Sequence, residues 1–283
     1  MDVMKHFAFS KVDECDLWKY VLENNIPANH SDNSHLVVVD LLASSEYWPW
    51  IENFIVSHPS HAVVCMSEPQ FTKEELENAQ WMSVRSIWRY GYPEPSADYS
   101  YEEITYTRKD YCPKCSVGLK QVDSFRIKKA PSWGRRHFFS LYWIEDEFFV
   151  NDTVKQIFQN ENITGVSFLP VLNKTGKKAF EGIHQLAISH VLPEGLIESS
   201  DYLKKTTTCP ECGTKKYCKN GCAMLRFKRE CFEGAPDIVR SGDYFGGMPG
   251  IAAHLILINQ KTYQAIIRNK LDRSLLFYPI ELV

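Results

Sequence analysis

The sequence contains two short cysteine motifs, Cys112-Pro-Lys-Cys115 and Cys209-Pro-Glu-Cys212-Gly213, which are separated by 93 residues. Two cysteines with two residues between them let one tight turn direct both sulfur atoms at the same ion, and two such turns supply the four ligands of a tetrahedral Zn²⁺ site. In each motif a proline follows the first cysteine and presets the φ angle of the turn. We therefore interpret the motifs as the halves of one split zinc ribbon, in which Cys112, Cys115, Cys209 and Cys212 hold a structural Zn²⁺ ion.

The residues around the two motifs favour this interpretation. Gly213 closes the second motif and permits the left-handed backbone conformation in which amide groups point at sulfur. Ser116 has the corresponding place in the first motif, which makes that turn the less favourable one. The residues 104–107 and 206–208 are strand-like, so a strand is predicted before each turn. The split ribbon is thus predicted to combine residues 104–122 with residues 203–222.

The sequence is also compatible with other arrangements of the cysteines. Cys218 and Cys222 follow the second motif closely, and together with Cys209 and Cys212 they could form a local metal site. The motifs could also be turns without a metal, or redox pairs. Redox CxxC pairs of the thioredoxin type lie in a βαβ context, which neither motif has.

The composition is typical of a folded protein in a reducing compartment. Of the 283 residues, 44% are hydrophobic, which is ample material for a core. The nine cysteines are odd in number and four of them fit a metal site, which suits the cytoplasm better than a disulfide framework. The N-terminus lacks the pattern of a signal peptide, and the apolar runs are too short to span a bilayer. We expect a cytoplasmic protein without a membrane partner.

Strand-like and helix-like segments alternate along the chain. Residues 36–39, one leucine followed by three β-branched valines, predict a buried strand, and apolar residues at helical spacing within 48–55 predict a helix after it. Thr72-Lys-Glu-Glu75 is a capping box, which predicts the start of another helix. The sequence therefore predicts an α+β fold with mixed sheets, short helices and the split zinc-ribbon-like pair of CxxC knuckles.

A stretch rich in proline and glycine lies between Tyr90 and Tyr101. Such composition is typical of a boundary between domains. We expect an N-terminal α/β-like domain over residues 1–95. Residues 96–283 are expected to form a C-terminal α+β domain that contains both knuckles.

Two further stretches could bind a partner. The formal net charge of −3 is too close to zero to imply a nucleic-acid partner for the whole chain. Residues 204–230, however, carry eight positive and two negative charges, a local +6 around the second motif that could contact phosphate groups. Residues 237–247 are rich in glycine and also contain Asp237, Arg240 and Tyr244, which indicates either a binding loop or a tight connection between strands.

Together with three other stretches, the two motifs resemble the bacterial double-CXXCG motif proteins. These stretches are Trp143-Ile-Glu-Asp-Glu-Phe-Phe-Val, Gly165-Val-Ser-Phe-Leu-Pro and Asp237-Ile-Val-Arg-Ser-Gly-Asp-Tyr-Phe-Gly. The resemblance covers roughly residues 104–283 and implies that Cys112, Cys115, Cys209 and Cys212 bind the metal. Members of the family are regarded as immunity proteins, which neutralise a cognate toxin in the cell that produces it. Ser116 departs from the family pattern without removing a ligand.

The expected function is that of an immunity protein whose partner is a cognate toxin. The alternative is a zinc-ribbon protein that binds nucleic acid. An enzyme is not expected, because a site with four thiolates has no open position for substrate or water. In addition, no pair of a carboxylate and a histidine lies near the motifs in the sequence.

Overall fold

The structure is a computed structural model that describes residues 1–31, 33–58, 63–199, 201–219, 223–247, 250 and 252–283. It contains short helices and mixed sheets, which confirms the predicted α+β fold class. The chain forms two compact units, Met1–Glu75 with residues 223 and 224, and Leu76–Lys219 with Leu225–Val283. The predicted division into folding domains at residues 95 and 96 stays a prediction.

The first unit is an antiparallel sheet with two helices packed on one of its faces. Its elements are β1 (Asp2–Ser10), α1 (Cys15–Glu23), β2 (Ala28–His30), β3 (Leu36–Leu42), α2 (Trp48–Ser57) and β4 (Val64–Gln70). The strand order is β2-β3-β1-β4. Alternation along the strands turns Phe7 and Val39 toward Leu17 of α1 and Ile51 of α2, and all four side chains are buried. β3 and α2 confirm the strand and the helix predicted from the apolar pattern.

Helix α3 (Lys73–Asn78) begins at the predicted capping box. The amide of Glu75 donates to the hydroxyl of Thr72 over 3.2 Å, and the amide of Thr72 donates to the carboxylate of Glu75 over 2.8 Å. These reciprocal bonds satisfy two amide groups that no helical carbonyl can reach. The capping box therefore sets the start of this helix, as predicted.

Within the described residues, the second unit contains a seven-stranded sheet, a five-stranded sheet and one short strand pair. Its elements are β5 (Trp81–Ser86), α4 (Tyr101–Thr105), β6 (Tyr106–Thr107), β7 (Lys120–Gln121), β8 (Arg126–Ile127), β9 (Phe138–Phe139), β10 (Phe148–Asn151), α5 (Asp152–Asn160), β11 (Val166–Asn173), β12 (Ala179–Ile188), β13 (Leu203–Thr208), β14 (Lys215–Lys219), β15 (Arg226–Phe227), β16 (Ile238–Phe245), β17 (Ala253–Asn259), α6 (Gln260–Arg268) and β18 (Leu275–Leu282).

The larger sheet has the order β13-β14-β16-β17-β5-β18-β15, and the smaller one has the order β8-β11-β12-β10-β9. Both sheets are mixed, because β14 pairs in parallel with β16, β15 with β18, and β8 with β11, while the other pairs are antiparallel. Strand β5 pairs with β17 on one side and with β18 on the other. The pair β6 and β7 stands apart from both sheets and flanks the first cysteine motif.

The helices of the second unit are short and amphipathic. Asn151 caps α5 by accepting a hydrogen bond from the amide of Val154. Asn259 caps α6 by accepting a hydrogen bond from the amide of Thr262. Phe158 of α5 and Ile266 of α6 are buried in the same apolar cluster. In the part of the chain that the structure describes, no helix has the length and the apolar composition needed to cross a membrane.

Candidate metal centre

The two cysteine motifs form knuckles with the same backbone geometry. In the first knuckle, the amide of Ser116 donates to the carbonyl of Cys112, and the amide of Cys112 donates to the carbonyl of Val117, both over 2.8 Å. The second knuckle makes the same two bonds through Gly213 and Thr214, over 3.0 and 2.9 Å. Ser116 and Gly213 have φ angles of 61° and 73°. The serine of the first motif thus adopts the conformation for which the second motif has glycine.

The knuckles bring the sulfur atoms of the four predicted ligands together. The Sγ atoms of Cys112 and Cys209 are 3.8 Å apart, those of Cys115 and Cys212 are 3.4 Å apart, and all four lie within 4.8 Å of one another. Zinc bonds of about 2.3 Å in tetrahedral geometry would separate the sulfur atoms by about 3.8 Å. The prediction that the two distant motifs meet is confirmed, and the four cysteines could hold a metal ion.

The sulfur cluster is buried except at Cys212, which is exposed. Cys115 and Cys209 are 0% and 1% exposed, and Cys112 is 9% exposed. Burial raises the pKa of the Cys115 thiol to about 12, whereas the hydroxyl and amide of Thr214 lower the pKa of Cys212 to about 6. A divalent cation would displace protons from the buried thiols on binding, so its affinity should depend on pH.

Short antiparallel strands hold the two knuckles in place. Tyr106 of β6 pairs with Gln121 of β7 on either side of the first knuckle, and Thr208 of β13 pairs with Lys215 of β14 on either side of the second. The strand predicted over residues 206–208 is confirmed as the end of β13. Each knuckle is therefore the tip of a hairpin-like segment, as a split ribbon requires.

The strand predicted over residues 104–107 is wrong in its first half. Residues 101–105 form helix α4, and only Tyr106 and Thr107 are extended. Two glutamates, Glu102 and Glu103, lie in the first turn of this helix, where its dipole favours negative charge. This helix begins upstream of the predicted strand, so residues 104–107 alone do not reveal it.

Glycine in place of Ser116 is expected to stabilise the protein. Serine at a φ angle of 61° carries a steric penalty that glycine avoids, so Ser116→Gly should raise the free energy of unfolding by about 1 kcal/mol. Urea denaturation of the metal-loaded protein measures the change. The matched control is Gly213→Ser, where an added Cβ would meet no atom within 4 Å and the same penalty should lower stability. Equal stabilities of Ser116→Gly and the wild type would contradict this expectation.

A buried lysine lies against the sulfur cluster. Lys216 is 1% exposed, and its Nζ atom donates to the backbone carbonyls of Cys115, over 3.0 Å, and of Gly250, over 2.9 Å. Burial lowers the pKa of this ammonium group, while negative charge on Cys115 and Cys209 opposes that shift. Four thiolates and one divalent cation sum to a charge of −2. Lys216 would offset part of that charge from within the protein.

Removal of the Lys216 charge is expected to weaken metal binding. Partners outside the ligand set typically change metal affinity by about 10- to 100-fold, and Lys216→Met should fall in this range. Competition with a chromophoric chelator at fixed pH measures the affinity. Lys215→Met is the matched control, because Lys215 is the exposed neighbour and pairs with Glu198 over 2.9 Å. An unchanged affinity of Lys216→Met would show that the buried ammonium does not act on the metal.

Burial or an ion pair engages three of the eight basic residues around the second knuckle. Lys216 is buried, and Lys215 and Arg226 each form an ion pair with a glutamate, with nitrogen–oxygen distances of 2.9 Å in both cases. Lys204 and Lys205 are exposed on β13. The surface available to a phosphate backbone is thus smaller than the local charge of +6 suggests.

The alternative local metal site involves Cys218 and Cys222. Cys218 lies on β14 and is not part of the cluster of four sulfur atoms. Cys222 lies outside the described residues. The local site therefore stays an untested alternative, which the metal content of cysteine variants can distinguish from the split site.

Residues 237–247, predicted to be a binding loop or a connection, are mostly strand β16. Arg240 projects from this strand into a buried polar network. Its guanidinium lies 2.5 Å from Oε1 of Glu147 and 3.0 Å from Oδ2 of Asp146, and Gln185 donates to the other carboxylate oxygen of Glu147 over 3.0 Å. These residues contribute to the wall of a cavity of about 1030 Å³ in the second unit, which the sequence did not predict.

No protein-family model matches the chain, and no curated protein matches its sequence. The functional interpretation therefore depends on the residues of the chain itself. The cluster of four cysteines is the feature of the second unit from which it starts.

Proposed function

We propose that the protein is a cytoplasmic immunity protein, which binds and neutralises a cognate bacterial toxin. In this proposal a Zn²⁺ ion at Cys112, Cys115, Cys209 and Cys212 stabilises the second unit. The observation that carries the proposal is the convergence of two knuckles, 93 residues apart in sequence, on one cluster of four sulfur atoms. This arrangement agrees with the resemblance to the double-CXXCG motif proteins.

The geometry favours a structural role for the metal over a catalytic one. Catalytic zinc sites keep one position open for water or substrate, whereas structural sites are closed by four protein ligands. Here four sulfur atoms are available, and those of Cys115 and Cys209 are almost completely shielded from solvent. We therefore propose that the protein acts by binding a partner and not by catalysis.

Nucleic-acid binding is the second candidate function. Lys204 and Lys205 are exposed beside the second knuckle and support it. Other basic residues of the same stretch are buried or already form ion pairs, and this weakens the case for nucleic-acid binding. If the protein bound nucleic acid mainly through phosphate contacts, its affinity would fall steeply as salt increases.

Co-expression with the polypeptide encoded beside this gene tests the proposal. The neighbouring polypeptide alone should stop growth, and the protein described here should restore growth and form a complex with it that survives size-exclusion chromatography. Binding of DNA and RNA oligonucleotides at low salt is measured in parallel. A neighbouring polypeptide that is harmless, or a toxin that the protein does not counteract, would refute the immunity function.

A further inference from the structure

The cavity of the second unit has an excess of negative charge. Its wall contains six acidic side chains: Asp98, Glu102, Glu145, Asp146, Glu147 and Glu194. Three basic side chains also line it, and each already forms an ion pair within the described residues. Arg108 pairs with Glu102 over 2.8 Å, Lys120 with Asp110 over 2.5 Å, and Arg240 with both Asp146 and the buried Glu147. Six negative and three positive charges leave the wall with a formal charge of −3.

Two carboxylates of the wall lie outside the ion pairs that the described residues form. Among the described residues, the carboxylates of Asp98 and Glu194 take part in no ion pair, whereas Glu145 pairs with Arg89 over 2.6 Å. The wall therefore offers acceptors to a positively charged group that enters the cavity.

Aromatic side chains lie at the rim of the cavity. Tyr99 and Trp143 line it with their ring centroids 4.4 Å apart, and Tyr92 packs against Trp143 at 4.5 Å and against Tyr142 at 4.9 Å. The exposed fractions of Tyr92, Tyr99 and Tyr142 are 44%, 51% and 43%. Tyrosine and tryptophan are enriched among the residues that contribute most to protein–protein binding, and their ring faces attract cations.

We propose that the cavity and its tyrosine rim bind a basic segment of the cognate toxin. A lysine or arginine side chain of that segment would enter the cavity with the ring pair of Tyr99 and Trp143 on one side and the carboxylates of the wall on the other. The inference rests on the proposed immunity function and adds the surface and the chemistry of its partner. A protein segment fits better than a small cation, because Tyr92 and Tyr142 extend the aromatic surface beyond the cavity wall, where a small ligand gains no contact.

Calorimetric titration of the full chain with the neighbouring toxin domain tests this surface. Glu194→Lys places a positive charge where the toxin segment should bind, and Tyr142→Ala removes one ring of the rim. Each should weaken binding by about tenfold or more. Glu181→Lys is the matched control, because Glu181 is exposed on β12, lies outside the cavity wall and undergoes the same change in charge. Thermal melting of each variant verifies that the fold is intact.

The outcomes separate this inference from the function on which it rests. Weakened binding in Glu194→Lys and Tyr142→Ala, with Glu181→Lys unchanged, would support the surface. Unchanged affinity in both cavity variants, with a wild type that still protects cells, would overturn the surface and leave the immunity function standing. A wild type that neither binds nor protects would overturn both. If spermidine quenches tryptophan fluorescence in the wild type but not in Glu194→Lys, while toxin binding is equal, the cavity binds a small cation and the protein occupant is refuted.

Discussion

Serine in place of Cys209 is expected to remove the bound metal and most of the stability of the second unit. Cys209 is 1% exposed, and its sulfur lies 3.8 Å from that of Cys112 across the two knuckles. A structural zinc ion contributes on the order of 10 kcal/mol in small zinc domains, which is comparable with the whole stability of a typical domain. The wild type should retain one zinc ion per chain after dialysis against a chelator, and Cys209→Ser should retain none.

Metal analysis of further variants distinguishes the split site from its local alternative. Cys112→Ser should lose the metal as completely as Cys209→Ser, because both knuckles supply ligands to one ion. Cys218→Ser is the matched control and should keep the metal, since Cys218 lies outside the sulfur cluster. Zinc that persists in Cys112→Ser but disappears in Cys222→Ser would contradict the split site and assign the ion to the segment from Cys209 to Cys222.

Methionine in place of Arg240 is expected to destabilise the second unit by about 3–5 kcal/mol. Arg240 and Glu147 are 9% and 6% exposed, and their side chains are 2.5 Å apart. Without the guanidinium, the carboxylate of Glu147 stays buried and loses its opposing charge. This lowers the free energy of unfolding far more than the loss of an exposed ion pair does. Urea denaturation at neutral pH measures the difference in the free energy of unfolding.

Two controls distinguish a buried unpaired charge from a general loss of contacts. Glu147→Gln in the Arg240→Met background should recover part of the stability, because it removes the buried unpaired charge. The new amide can still accept a hydrogen bond from Gln185. Arg268→Met breaks an ion pair of similar length with Glu161, but Arg268 is 60% exposed and the loss should be about 1 kcal/mol or less. If Arg240→Met and Arg268→Met are equally mild, the buried network does not stabilise the fold.

The sulfur cluster and some helix ends could be predicted because their signals are local. A CxxC turn with proline after its first cysteine limits the directions in which its sulfur atoms point. Two such turns in a reduced protein indicate one site, even at a spacing well beyond that of a compact ribbon. The capping box of Thr72 and Glu75 is equally local, since three residues separate donor and acceptor.

The charged interior of the second unit could not be predicted, because its partners are distant in sequence. Local reading assigns lysine and arginine to the surface, where they usually lie. Lys216 finds its carbonyl partners 101 and 34 positions away, and Arg240 finds Glu147 93 positions away. No periodicity in the surrounding strands indicates these contacts. The sequence contains no local signal for the cavity wall for the same reason, because the wall consists of segments that only the sheets bring together.

The distance between the two knuckles along the chain also affects how the protein is made. A ribosome that adds about 5–20 residues per second completes the second knuckle about 5–20 s after the first, because 93 residues lie between Cys115 and Cys209. During that interval the nascent chain contains only two of the four cysteines of the cluster, Cys112 and Cys115, and these two cannot enclose an ion. If the four cysteines hold zinc, as proposed, their site is completed late in synthesis, and cells starved of zinc should accumulate chains in which the two knuckles are not joined by a metal.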